Sequence, residues 1–150
     1  AKWFALIAII SASSSLINAQ LVMRFGMRHM VVSSLFFQIL ISSIVLAYFW
    51  LGTVSVPTSF YVYLIWQTGI FFQVGFTLGN LNALALQPLG HIAGFGASIV
   101  GGISTVIAAA MASIVNILFD GTPIPLIGSC LAVIVVAYFV AIFLPNNTAS

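Results

Sequence analysis

Long apolar stretches alternate with short polar connectors along the whole chain. A helix needs about 20 residues to cross the hydrocarbon core of a bilayer. Five stretches reach that length, at 3–22, 31–51, 60–80, 93–118 and 124–144. Glycine and proline mark turns in the connectors, and backbone groups in lipid must be paired within their own segment. The pattern therefore predicts five transmembrane helices.

The composition supports a membrane protein. The 150 residues are 63% hydrophobic and 3% charged, whereas an ordinary soluble domain is about a quarter charged. One acidic and three basic side chains cannot cover the surface of a water-soluble fold. We expect an all-α, polytopic helix bundle solvated by the lipid bilayer. A formal net charge of +2 is too small to indicate nucleic acid as a partner.

The basic residues predict the orientation of this integral membrane protein. Arg24 and Arg28 lie together in the connector 23–30, and basic connectors are retained on the cytoplasmic side of a membrane. Alternating spans then place Ala1 outside and the C-terminal Ser150 in the cytoplasm. Because a span begins almost at Ala1, we interpret the chain as a piece of a longer protein.

Two predicted spans carry polar side chains along one helical face, spaced to lie above one another on a helix. Aromatic surface combined with uncharged amides suits a cavity for small lipophilic molecules. The alternative is that the hydroxyl residues pack against neighbouring helices and that the third span is an ordinary lipid-embedded helix. The candidate cavity residues are Ser11, Ser15 and Asn18 in the first span and Trp66, Gln73, Thr77 and Asn80 in the third.

The fourth span carries a stripe of small residues in steps of four and three. Transmembrane helices have no hydrophobic driving force between them, so close backbone approach through small residues holds them together. The pattern predicts a tight helix–helix contact. The small-residue stripe consists of Gly94, Ser98, Gly101, Thr105, Ala108 and Ala112.

The sequence contains no recognisable catalytic group. Its only carboxylate, Asp120, lies in a connector, and its only cysteine, Cys130, lies in an apolar run. His29 belongs to the basic cluster, and His91 ends a connector. These residues form no carboxylate pair, nucleophilic triad or metal-ligand spacing. We therefore predict that the chain is not an enzyme and has no metal site or cofactor.

The stretch AQLVMRFGMRH, residues 19–29, resembles a loop signature of major facilitator superfamily transporters, Gly-x-Leu-x-Asp-Arg-x-Gly-Arg-Arg. In that family the basic residues of the loop engage an acid and a helix end, and so hold one access state. Ala19 and Met23 stand where the signature has its first glycine and its acid. The matching positions are Leu21, Arg24, Gly26 and Arg28.

A second stretch, 79–102, looks like the junction between helices ten and eleven in the Bcr/CflA-type drug-resistance branch. The resemblance implies helices eight to twelve of a twelve-helix fold in a bacterial cytoplasmic (inner) membrane. It also implies proton-coupled, multidrug-type efflux of small lipophilic compounds by alternating access, as an antiporter. The N-terminal helices of the same transporter, protons and a lipophilic substrate are the implied partners.

The resemblance also assigns positions to the spans. Those at 3–22, 60–80 and 93–118 would contribute to the cavity or its gates, and those at 31–51 and 124–144 would lie peripherally. The alternative is a non-catalytic structural or assembly subunit of a larger membrane complex. That alternative explains the hydrophobicity equally well, but it does not explain the spacing of the basic residues after a polar helix.

Overall fold

A computed structural model describes residues 2–52 and 55–143, and nearly all of them are helical. A 3₁₀ turn at Gln87–Ile92 joins the third helix to the fourth. The described residues include no β-strand, which confirms the all-α prediction. The five α-helices are α1 (Lys2–Phe25), α2 (Met27–Trp50), α3 (Val56–Leu86), α4 (Ala93–Ile117) and α5 (Ile124–Phe143).

Several helices have the length and composition needed to cross a membrane. Among the described residues these are the stretches Lys2–Phe25, Met27–Trp50, Val56–Ile117 and Ile124–Phe143. The third stretch has 62 residues because it includes α3, the 3₁₀ turn and α4. Gly90 has non-helical backbone angles inside that turn (φ 48°, ψ −117°), so the stretch is kinked there. The helices are compatible with an integral membrane protein.

The helices extend beyond the apolar stretches, because a helix need not end where its hydrophobicity does. The expected connector 23–30 is wrong as a loop: α1 continues to Phe25, and α2 begins at Met27. Gly26 alone separates them, with φ 81° and ψ 154°. A side chain disfavours a positive φ, so glycine suits this one-residue link.

Some expectations fall on residues outside those described. They are the external position of Ala1, the cytoplasmic position of Ser150 and the last residue of the predicted span 124–144. Part of the connector 52–59 also lies outside, at 53–54. The residues of that connector from Val56 onward belong to α3.

Helix α2 lies between α3 and α5, and α1 packs against the other side of α3. Two apolar clusters hold the α2–α3–α5 group together. One contains Val31 and Leu35 of α2 with Ile134 of α5. The other joins Trp66 of α3 to Ile127 of α5, with α2 alongside. Burial of apolar side chains and close packing stabilise this group.

The bundle has two distinct ends. The first, which we call the basic end, carries Arg24 and Arg28 at the α1–α2 link. At the second, the aromatic end, the Trp3 ring lies edge-on to the rings of Phe60 and Tyr61, with centroids 6.1 and 6.2 Å apart. Tyrosine and tryptophan are enriched at membrane–water interfaces. The aromatic end therefore suits an interfacial position.

Helix α4 stands apart from the rest of the bundle. Gly96 is its one buried residue, packed against Leu86 and Leu89 near the 3₁₀ turn. Large apolar side chains such as Ile103 and Val106 are exposed along the helix. An apolar surface of this extent requires lipid or another helix to cover it.

Candidate functional site

A buried pair of amides joins α1 to α3 near the basic end. Asn80 Nδ2 donates to Asn18 Oδ1 at 2.9 Å, and Asn18 Nδ2 donates to Asn80 Oδ1 at 3.3 Å. Asn80 Nδ2 also donates to the carbonyl of Phe76 at 2.8 Å. Each amide therefore meets the need for partners that burial imposes. The structure brings together two candidate cavity residues that are 62 positions apart.

A close approach of two helices also lies between α1 and α3. A Cβ added to Gly75 would lie 2.8 Å from Ser14 Cβ and 3.2 Å from the backbone nitrogen of Ser15. Ser14 is fully buried, and its hydroxyl donates to the carbonyl of Ser11 at 2.6 Å. Small residues at both positions allow this contact. We call the contact, with the Asn18–Asn80 pair, the α1–α3 seam.

The candidate serines of α1 have different surroundings. Ser15 is exposed, whereas the hydroxyl of Ser11 is buried and has no hydrogen-bond partner among the described residues. The serine that contacts α3 is Ser14. The sequence missed Ser14 because all four serines in SASSS look alike, and helix rotation alone decides which one meets the neighbouring helix.

A second polar contact lies between α2 and α3. Trp66 Nε1 donates to Ser42 Oγ at 3.0 Å, and Gln38 Nε2 donates to the same oxygen at 3.3 Å. Gln38 and Ser42 are both buried, and the amide of Gln38 lies beside Gly69. Trp66 is thus engaged within the bundle. The spacing of Gln38 and Ser42 at i and i+4 was the signal in the sequence that they share a face.

An open groove of about 780 Å³ runs between α3, α4 and α5. Its walls are mainly apolar, and the described residues that line it include no charged side chain. The polar side chains in its wall are Tyr63, Gln73, Asn116, Thr122 and Ser129, and Cys130 adds a thiol. The amides of Gln73 and Asn116 make no hydrogen bond to other described residues. The groove can therefore offer both apolar area and unpaired amides to a ligand.

The seven candidate cavity residues do not line one common cavity within the described part of the chain. Gln73 lines the groove, whereas Asn18, Asn80 and Trp66 lie in contacts between helices. Thr77 is buried, and its hydroxyl donates to the carbonyl of Gln73 at 3.2 Å. Their contribution to a larger substrate cavity stays a prediction.

The small-residue stripe is exposed over its whole length. The hydroxyls of Ser98 and Thr105 donate to carbonyls of their own helix, at Gly94 and Gly101. A Cβ added at Gly101 would meet no atom within 4 Å. The expected contact therefore is not formed with the described part of the chain and stays a prediction. The stripe's last two members, Ala108 and Ala112, line the groove.

At the basic end, Arg28 reaches the C-terminus of α5. Its guanidinium donates to the carbonyl of Ile142 at 2.6 Å and to that of Ala141 at 3.4 Å. The last carbonyls of a helix have no partner within it, and a cation there also interacts favourably with the helix dipole. Arg24 is exposed and lies over the ring of Phe25, 5.4 Å from its centroid. The two arginines thus have different roles in the fold.

Replacing Arg28 by glutamine is expected to loosen the last turn of α5. A hydrogen bond from a charged donor contributes about 1.5–3 kcal/mol, and the exposed geometry puts this one at the lower end. Amide hydrogen exchange over residues 139–143 should therefore rise about tenfold in Arg28→Gln, from a loss of about 1.4 kcal/mol. The matched variant Arg24→Gln should leave that exchange unchanged. Equal exchange in both variants would show that Arg28 does not stabilise the helix end.

Asp120 acts as a turn residue near the aromatic end. Its Oδ1 accepts hydrogen bonds from the hydroxyl of Thr122 at 2.6 Å and from the backbone N–H of Thr122 at 2.9 Å. These two bonds hold the pKa of the Asp120 carboxyl below its ordinary value. The side chain is exposed in the connector before α5. It is thus ionised, solvated and outside the helices at neutral pH.

No protein-family model, curated protein or solved structure matches this chain. Among the described residues, the groove, the α1–α3 seam and the contact of Arg28 with α5 are the features from which we argue a function.

Proposed function

We propose that this chain is part of a proton-coupled transporter of the major facilitator type, which exports small lipophilic molecules by alternating access. In this proposal α1 to α5 cross a bacterial inner membrane five times, with the basic end in the cytoplasm. Gly90 separates α3 and α4 into two crossings, because each is longer than the roughly 20 residues that one crossing needs.

The observation that carries the proposal is the contact between Arg28 and the C-terminus of α5. The resemblance implies a short basic loop that engages a helix end and so holds one access state. Leu21 and Arg24 lie near the end of α1, Gly26 forms the link, and Arg28 lies in the first turn of α2. This arrangement supports the resemblance because a charged donor on one helix can retain or release another helix.

Proton coupling in this proposal depends on another part of the transporter. A coupling group must titrate while it faces the interior of the membrane, where ionisable residues are rare and functional. The chain's only carboxylate, Asp120, is exposed in a connector and already bonded to Thr122. We therefore assign the coupling acid to the N-terminal helices of the same transporter.

The exposed face of α4 also favours a second candidate, a structural or assembly subunit of a membrane complex. Its small-residue stripe is available to a helix of another protein as readily as to one of the same transporter. The two candidates differ in one respect. A structural subunit does not need Arg28 to release the C-terminus of α5 at the basic end. Loss of Arg28 would then affect assembly and not transport.

A transport measurement separates the candidates. The full transporter, with residues 1–150 joined to or co-expressed with the upstream helices, is placed in vesicles with an imposed proton gradient. We expect gradient-driven movement of a lipophilic dye. The hydrogen bonds of Arg28 to α5 contribute about 1.5 kcal/mol, so their loss in Arg28→Gln should slow this dye movement about tenfold. Arg24→Gln and Asp120→Asn should transport normally.

Two outcomes would contradict the proposal. The first is dye movement by the full transporter that does not depend on the proton gradient. The second is coupled transport by residues 1–150 alone that persists in Asp120→Asn, because the chain would then hold a coupling group that the proposal places elsewhere.

A further inference from the structure

The groove between α3, α4 and α5 has the size of a small-molecule site. Ligand pockets typically enclose about 300–1,000 Å³, and this groove has about 780 Å³. A transmembrane helix about 10 Å across and 30 Å long occupies on the order of 2,000 Å³. The volume of the groove is therefore smaller than that of a whole helix and matches that of a drug-sized molecule.

The wall of the groove selects against charge. Its described lining includes no acidic or basic side chain. A cation that left water for this surface would lose several kcal/mol of solvation without a counter-charge to replace it. The nearby Asp120 does not line the groove, and one of its oxygens is taken by Thr122. Electrostatic complementarity thus favours a neutral occupant.

The wall of the groove also favours an occupant that can form hydrogen bonds. The side chains of Gln73 and Asn116 face the groove without a partner among the described residues. Gln73 is half-buried and Asn116 is exposed, and an amide that an occupant covers without a hydrogen bond loses its favourable solvation. An alkane-like occupant would leave both amides unpaired, whereas a molecule with hydroxyl or carbonyl groups would pair them. Ala108 and Ala112 line the α4 side of the groove with small side chains.

We propose that this groove binds a neutral lipophilic molecule carrying hydroxyl or carbonyl groups, with Gln73 and Asn116 as its hydrogen-bonding partners. The proposal rests on the proposed transporter function and narrows its substrate class to uncharged amphiphiles. Phospholipid acyl chains and a helix of another protein are the other possible occupants, and the experiment distinguishes them.

The chain's only cysteine serves as the reporter, because Cys130 lines the groove. The full chain is placed in phosphatidylcholine vesicles, and alkylation by N-ethylmaleimide is followed by mass spectrometry. Glycerol monolaurate and dodecyltrimethylammonium are the probes, since they share a hydrocarbon chain and differ in a neutral or cationic head. At ten times its Kd, the neutral probe should slow alkylation about tenfold. The cation should have no effect.

Two sets of variants control the result. Val136→Cys in a Cys130→Ala background places the thiol on an exposed part of α5 outside the groove, where glycerol monolaurate should give no protection. Gln73→Leu combined with Asn116→Leu should abolish protection of Cys130. Ala112→Trp should slow alkylation even without a probe, and Ala110→Trp should not. Circular dichroism confirms that each variant keeps its helices.

Three results would overturn the inference. One is equal protection at Cys130 and Val136→Cys, which would show a general effect on the bilayer. Another is equal protection by the cation. The third is slow alkylation of Cys130 before any probe is added, which would mean that lipid or another helix already fills the groove. Alkylation of Cys130 does not require transport, so the two proposals can fail separately. Protection of Cys130 without dye movement would refute only the proposed transporter function. Dye movement without protection of Cys130 would refute only the proposed ligand site in the groove.

Discussion

Replacing Gly75 by alanine is expected to lower the free energy of unfolding in detergent by about 1–3 kcal/mol, the usual cost of inserting a methyl group into a packed interior. The added Cβ would lie 2.8 Å from Ser14 Cβ and 3.2 Å from the Ser15 backbone nitrogen. Rotation of the serine hydroxyl cannot relieve contacts with these two atoms. The two helices must therefore move apart, which also strains the Asn18–Asn80 pair. Gly75→Leu should have a larger effect.

The matched control is Gly79→Ala, one turn further along α3. A Cβ at Gly79 meets no atom within 4 Å, and alanine favours a helix over glycine by up to about 1 kcal/mol. We therefore expect Gly79→Ala to be neutral or slightly stabilising. Equal destabilisation by the two substitutions would show that α1 and α3 do not approach closely at Gly75.

Replacing Asn18 by leucine is expected to lower the free energy of unfolding by about 1–3 kcal/mol, because Asn80 is left buried with an unpaired oxygen. One hydrogen of the Asn80 amide keeps its bond to the carbonyl of Phe76, so part of the stabilisation remains. Asn80→Leu should lower the free energy of unfolding by a similar amount, because it leaves the buried amide of Asn18 without its partner. Thermal unfolding monitored by circular dichroism measures each change.

The double variant Asn18→Leu with Asn80→Leu tests whether the pair acts as a unit. It should be more stable than the sum of the single changes predicts, because no amide is then left unpaired in an apolar contact. Additive effects would show that the two amides do not interact. Ser15→Leu, at an exposed position of the same helix, should be nearly neutral.

The helices follow from the sequence because apolar length and helix termini are local properties. The stretches 93–118 and 124–144 anticipate α4 and α5 closely, and the Gly and Pro residues before α5 mark its start. The polar character of Asn18 and Asn80 was also visible, since an amide in an apolar span needs a partner. The sequence could not show that each is the other's partner, because their pairing depends on how α1 rotates against α3.

Contacts between helices were harder to predict than the helices themselves. The small-residue stripe of α4 has the stronger repeat, yet among the described residues it is Gly75 of α3 that lies close to another helix, at Ser14. A repeat of small residues shows that a helix can be approached, and the positions of neighbouring helices decide where the approach occurs. Similarly, a single glycine with positive φ, Gly26, suffices to reverse the chain, so the basic cluster is mostly helical.

The groove was predictable only in part. Gln73 was a candidate from its aromatic and amide-rich helix, but Asn116 and Ser129 gave no signal of their own. They contribute because α4 and α5 turn them toward the same space as Gln73. Such convergence from three helices depends on tertiary packing, which local sequence patterns do not encode.

The position of the basic end relative to the membrane tests the central claim most directly. Single cysteines at Met27 and at Ser55, in a Cys130→Ala background, are labelled in intact cells and in inverted vesicles with a membrane-impermeant maleimide. Five crossings with Arg28 in the cytoplasm predict labelling of Met27→Cys only in inverted vesicles and of Ser55→Cys only in intact cells, since α2 connects the two positions. Labelling of both positions from the same side would contradict the account.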